Sequence, residues 1–423
     1  MKSRPLATAA IGALALTLVA CSSTAPSGTV TDGNAASFKL EFQTGLAVDT
    51  PILTTLTDLT GKFQGANPGV TIDLVPRSNT YEADLKVRLA GGNAPDLWAT
   101  HGWSLLRYSE FLVPLQNEAW AKNFNPALDA AMKNKAGEFF AYPVDTDIAG
   151  IVYNADALKT AGVDPTKIKS WNDFGQALSA LKAAGITPIT ASGKDNWFAG
   201  NLVDWMLSGA YSEAQAKDLA NGTFVSDGYR LVLDQIAKWR DEGMFNVDYS
   251  SATTDDIARA LGEAKTGFVF IQNSLTNNAL EFNPDAKLGY IPVPSFVGDN
   301  YLIGGESQAY GISKASKHID TAKAYLAFLA QPENTSALAA AAGTIPGLTN
   351  AKVEPGHLAA SYDAFVAPGN IPLVPYFDRV SLPNGMWNTV VSTADSIITG
   401  QADVDAAVGV LKSDFTNLHG QSQ

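Results

Sequence analysis

Phe139-Phe140-Ala141-Tyr142-Pro143-Val144-Asp145-Thr146-Asp147-Ile148-Ala149-Gly150-Ile151-Val152-Tyr153-Asn154 decides the fold. The stretch begins aromatic and closes on a continuous apolar run, Ile148 to Tyr153. Such a run reads as a strand buried on both faces, as in parallel sheets. Two carboxylates, Asp145 and Asp147, stand in the middle. On an extended chain, residues two apart share a side, so both acids face one way. Two readings fit. In one, the strand leaves one body and enters another, with a polar cleft between them. In the other, the acids sit in a loop and accept from local backbone N–H groups.

The flanks alternate strand and helix. Phe38 to Phe42 alternates as a strand, and Thr50-Pro51 opens a capped helix with apolar Ile52, Leu53, Leu56, Leu59 and Phe63. Val70 to Val75 is a second strand, a helix runs from about Thr80 to Leu89, and Asp96 to Ala99 is a third strand. This pattern predicts an α/β domain with a largely parallel sheet. Beyond Asn154, Ser170-Trp171-Asn172-Asp173 resembles a capping box. Strands are expected at 188–191, 266–271, 288–291 and 310–313. Helices are expected at about 197–207, 212–220, 227–242, 255–264, 319–330, 382–398 and 404–418.

With 423 residues, 46% of them hydrophobic and 17% charged, the chain can build two or three ordinary domains. Its formal charge of −13 argues against nucleic acid, whose phosphates demand Lys and Arg. Cys21 is the lone cysteine, so no internal disulfide forms. Lys2 and Arg4 precede an apolar Leu6 to Ala20, the pattern of an export signal. Leu18-Val19-Ala20-Cys21 resembles a bacterial lipoprotein box, which predicts a signal over 1–21 and lipidation of Cys21. Residues 22–37 are Ser, Thr, Gly, Ala and Asn without periodicity, and read as a tether.

Catalytic patterns are near misses. The histidines His101, His318, His357 and His419 are scattered, so no metal site is expected. Gly305-Glu306-Ser307-Gln308-Ala309 approaches a nucleophile elbow. That motif needs strand–turn–helix, whereas Tyr310-Gly311-Ile312 reads as strand. Asp145 and Asp147 are about 6.6 Å apart on a strand, inside the roughly 6.5–9.5 Å window of inverting glycosidases. Neighbours on one strand face do not flank a bond from opposite sides, however.

Several segments, in order, resemble the extracellular solute-binding proteins of ABC importers, in the sugar-binding branch that includes the maltodextrin binders. They are Ala90-Gly91-Gly92-Asn93-Ala94-Pro95-Asp96-Leu97-Trp98, Ala141-Tyr142-Pro143 through Asn154, Ser170-Trp171-Asn172-Asp173-Phe174, Gly262 to Phe268, Gly304-Gly305 with Tyr310 to Lys314 and Ala324 to Leu329, and Thr344-Ile345-Pro346-Gly347. The resemblance implies a periplasmic-binding-protein-like α/β fold of type II, with two discontinuous lobes, a hinge of crossing segments and a ligand cleft between. It places lobe 1 at 38–146 plus 292–330, and lobe 2 at 147–291 plus 331–423. The crossings fall near Asp145–Gly150, Ile291–Pro294 and Gln331-Pro332.

It further implies a carbohydrate ligand, a membrane permease as partner, a monomer anchored by its lipid, no catalysis and no cofactor or metal. Sugars present hydroxyls at the ring rim, which suit carboxylates and amides, and C–H faces, which suit Trp and Tyr. Asp147 stands where the family carries a sugar-binding carboxylate, with Asp145 beside it. Trp387 matches a cleft tryptophan. Thr44 and Gly45, His101 and Trp103, Trp197, Asn273 and Glu306 follow strand ends that would line a cleft. The aromatics of the maltodextrin branch are missing where Leu275 and Thr100 or His101 stand, which points to a mono- to trisaccharide. The alternatives are a cationic solute such as a polyamine, suggested by Asp145, Asp147 and Glu306, and a secreted glycoside-cleaving enzyme.

Overall fold

The computed structural model describes residues 37–421, except positions 49, 79 and 306. The expected signal, the lipidation at Cys21, nearly all of the tether, and Glu306 lie outside the described residues. In chain order the strands are β1 (Phe38–Gln43), β2 (Val70–Val75), β3 (Leu97–Ala99), β4 (Tyr142–Pro143), β5 (Asp145–Thr146), β6 (Ile151–Asn154), β7 (Thr187–Ile189), β8 (Thr266–Phe270), β9 (Leu288–Ile291), β10 (Leu302–Ile303), β11 (Ala309–Ile312), β12 (Ile345–Pro346) and β13 (Leu373–Val374).

β1 follows from its alternation. Leu40 and Phe42 are fully buried, while Lys39 and Glu41 turn outward to pair with Asp73 and Arg88. The helix Pro51–Ala66 covers this sheet with Ile52, Leu56, Leu59 and Phe63. Pro51 occupies its first turn as expected, but Thr50 does not cap it: its hydroxyl donates to the Ala47 carbonyl instead. The first sheet runs β2-β1-β3-β11-β4. β1, β2 and β3 are parallel, whereas β11 is antiparallel to both β3 and β4. The second sheet runs β7-β8-β6-β9, with β6 antiparallel to both neighbours. Both sheets are therefore mixed rather than largely parallel, because late strands return into sheets begun by early ones.

Two hydrophobic cores result. One holds residues from Leu40 to Val144 and from Ala309 to Leu348; the other holds Ile148 to Ile303 and Leu358 to Phe415. The chain leaves the first core after Val144 and enters the second at Ile148. Its return differs from the expected 291–294. Val293 and Tyr301 pair as a hairpin, and β10 joins β13, which keeps this segment in the second core until Ile303. The last exchange also comes later than Gln331-Pro332. Pro332 begins a helix, Pro332–Ala342, whose Leu338 packs in the first core. Proline reads as a break in sequence, yet it is well placed at a helix start, where its missing N–H has no partner to lose.

Candidate functional site

The segment 144–149 is the middle of a three-stranded ribbon between the cores. On one side, Val144 N–H donates to Gln308 O (2.9 Å) and Asp147 N–H to Gly305 O (2.7 Å). On the other, β5 pairs antiparallel with β12. Asp145 ties all three segments. Its Oδ1 accepts from Ser307 N–H (3.1 Å) and Gln308 N–H (2.8 Å), and its Oδ2 accepts from the Thr344 hydroxyl (3.1 Å). Its carboxylate thus meets backbone N–H groups, but donors far along the chain rather than local ones. Burial and the neighbouring Asp147 carboxylate push Asp145 up to about 8, against these donors.

Asp147 is equally buried, with different partners. Its Oδ2 accepts from the Tyr376 hydroxyl at 2.5 Å. The Tyr376 oxygen accepts from Gln272 Nε2 (3.2 Å), and Gln272 Oε1 accepts from Asn201 Nδ2 (3.2 Å). Burial raises Asp147 to about 6, opposed by the Tyr376 hydroxyl and the Arg379 guanidinium. Gly305 makes this possible, since a Cβ there would run into the Tyr376 ring.

Trp103 faces this group from the first body. The Arg379 guanidinium lies 4.4 Å from its ring centroid and 4.9 Å from that of Tyr376, and Arg107 lies 4.1 Å from Trp103. Arg107 also donates to Asn384 Oδ1 (3.2 Å) and pairs with Glu82 (3.1 Å). Arg379 belongs to the short helix Phe377–Ser381. The buried Asp204 carboxylate caps that helix, accepting from Phe377 N–H (3.1 Å) and Asp378 N–H (2.8 Å). The two bodies therefore meet through alternating aromatic rings and guanidinium planes.

Thr44, Gly45 and His101 gather at the carboxyl ends of β1 and β3. Gly45 has φ 67°, and a Cβ there would lie 2.7 Å from Ala99 Cβ and 2.8 Å from His101 Nε2. His101 is itself left-handed, with φ 44°. Burial first, then Arg77, lowers it to about 4, so the ring is neutral at pH 7. Trp387, half-buried, opens the helix Met386–Ile398 and packs its ring over Gly200 of the helix Trp197–Leu207, where a Cβ would lie 2.8 Å from Cη2. Trp197 is exposed at the start of that second helix, its ring 4.4 Å from Phe198.

The candidates thus form groups: Asp147 with Trp103 through Tyr376 and Arg379; Thr44, Gly45 and His101; and two tryptophans on adjoining helices. Asn273 stands apart, donating from Nδ2 to Ile148 O at 2.6 Å. Asp145 spends its oxygens on the ribbon. Sequence reading missed Tyr376, Arg379 and Asn201. The dense run Tyr376-Phe377-Asp378-Arg379 is the only local signal for the first two.

The model of the bacterial extracellular solute-binding protein family matches residues 48–336. The melibiose/raffinose/stachyose-binding protein of Bacillus subtilis (strain 168) is 29% identical over 381 residues, 87% of each chain. A Bacillus subtilis binding protein solved in an open conformation superposes with a TM-score of 0.82 at 27% identity, covering 92% of this chain and 99% of that one. A sugar transporter protein of Bacillus licheniformis solved with stachyose gives 0.79 at 29% identity, covering 90% and 100%. The likeness extends to the two-lobed α/β architecture.

Proposed function

Because the chain belongs to the bacterial extracellular solute-binding proteins, we propose that it captures a short oligosaccharide between its lobes and hands it, unaltered, to the permease of an ABC importer. The observation that carries this reading is the hydrogen-bonded row Asn201–Gln272–Tyr376–Asp147 on one body, joined to the Trp103 ring of the other through the Arg379 guanidinium. The row supplies paired donors and acceptors for hydroxyls, and the indole supplies a face for ring C–H groups. The relatives' ligands support a disaccharide to tetrasaccharide of the melibiose, raffinose and stachyose series. Asp147, Tyr376, Gln272, Trp103 and Arg379 contact the sugar, with Thr44, Gly45, His101, Trp197 and Trp387 as further lining. Asp145 acts through the hinge rather than by touch. Two guanidiniums beside Trp103 weigh against a cationic solute.

Calorimetry with melibiose, raffinose, stachyose and maltodextrins tests the reading. Heat and saturation with the first three are expected, and unchanged sugar is expected after prolonged incubation. Silence with all of them, or cleavage products, overturns it. Anchoring through lipidated Cys21 belongs to the same proposal: Cys21→Ser should release the protein into the medium, and continued membrane retention counts against an anchor.

A further inference from the structure

The crossing segment has a second face. Asp147 turns to Tyr376, and the next residue, Ile148, lines a cavity of about 140 Å³ on the other side. Its walls come from both bodies: Gly343 closes the helix that packs in the first core, while Asn273, Thr276 and Tyr290 belong to the second. The polar atoms around it include an unpartnered buried acceptor. Asn273 is buried, and its Nδ2–H donates to Ile148 O, which fixes the amide orientation; Oδ1 then has no partner among the described residues. The Thr276 hydroxyl donates to Asn273 O at 2.5 Å, so it accepts from His357 Nε2–H at 2.7 Å. That leaves Nδ1 of the neutral ring as another acceptor. The Glu354 carboxylate also lines the cavity, and no Lys or Arg does among the described residues. The remaining surface holds the Asn277 amide, the Thr344 hydroxyl, which donates to Asp145, and the apolar or aromatic Ile148, Leu358, Tyr290 and Tyr362.

A group with several donors, a positive charge and a short hydrocarbon body matches this lining. We propose that the cavity behind the hinge binds a small primary ammonium compound, and that its occupancy shifts the angle between the lobes. The ammonium donates to Asn273 Oδ1 and His357 Nδ1, Glu354 balances its charge, and the alkyl chain lies against Ile148 and Leu358. Rotation about the ribbon changes the distance between the walls, so ligand and lobe angle are linked in both directions.

The probe is n-butylammonium chloride, titrated into the full-length protein with methyl NMR at Ile148 and Leu358 and with small-angle scattering. Saturable methyl shifts in the millimolar range are expected, with a change in radius of gyration at saturation. Glu354→Gln, at an exposed position, should weaken binding at least fivefold while leaving the melting temperature unchanged. 1-Butanol should bind at least tenfold more weakly. Absent methyl shifts, an unaffected Glu354→Gln variant, or equal binding of 1-butanol would overturn the ammonium site. Saturation without any change in scattering would overturn the link to lobe angle. No sugar enters the experiment, so its outcome is independent of what the cleft binds.

Discussion

Asp145 accepts from two backbone N–H groups through one oxygen and from a hydroxyl through the other, whereas Asp147 accepts from one phenol. This asymmetry separates their roles. In Asp145→Asn, the amide oxygen keeps both backbone donors and the buried charge is gone. The wild-type carboxyl sits near 8 in the fold, against about 3.9 in the unfolded chain. Its contribution to stability is complete below about pH 4 and is lost as pH rises toward 8. The Asp145→Asn protein should therefore melt at a temperature close to wild type at pH 4 and above it at pH 8. A constant difference across that range would refute the assignment. Asp145→Ala instead strands two N–H groups and should cost about 2–4 kcal/mol in urea unfolding. For Asp147, the proposed charge-assisted bonds to sugar hydroxyls predict that Asp147→Asn loses roughly 10- to 100-fold in affinity. Affinity should also fall as pH drops through about 6, where the carboxylate gains its proton. Calorimetry between pH 5 and 8 reads both. The sequence made Asp147 conspicuous, but its partner Tyr376 is 229 residues away, and no local pattern announces that pairing.

Elements with a period of their own were legible. β1 alternates, and Pro51–Ala66, Trp171–Ala183 and Asp227–Asp241 carry apolar faces at helical spacing. The two-residue strands β4, β5, β10, β12 and β13 were not, because two residues contain no period. They exist only through the segments beside them, and the hinge is built largely from them. The helices Ser274–Phe282 and Pro332–Ala342 were missed for a related reason: one has few apolar anchors, and the other is mostly alanine behind a proline. Close approach was also hidden. Gly150 lets its backbone lie against the Ile291 carbonyl where β6 meets β9, so Gly150→Ala should destabilise by about 1–3 kcal/mol in urea. Gly305→Ala should behave differently. Its Cβ displaces the Tyr376 ring, so sugar affinity should fall by more than the loss in stability accounts for. Equal losses in both would place Tyr376 outside the binding surface.

Across the whole molecule, the net charge of −13 separates the carbohydrate reading from the cationic one. Affinity for a neutral sugar should change less than twofold between about 20 and 500 mM salt, whereas a cation would lose much of its binding. The two-lobed plan was legible from the ordered motifs; the points of exchange were not, since they depend on which core receives Val293 to Ile303 and Leu338.

The position of β11 between β3 and β4 carries a consequence for biogenesis. A ribosome working at about 5–20 residues per second needs on the order of 10–30 s to travel from Pro143 to Ala309. Throughout that interval the nascent amino-terminal half lacks the strand that seals its centre, and two raw edges stand ready to recruit a stranger. An export route that keeps the polypeptide unfolded until synthesis has passed residue 312 would spare the cell that hazard.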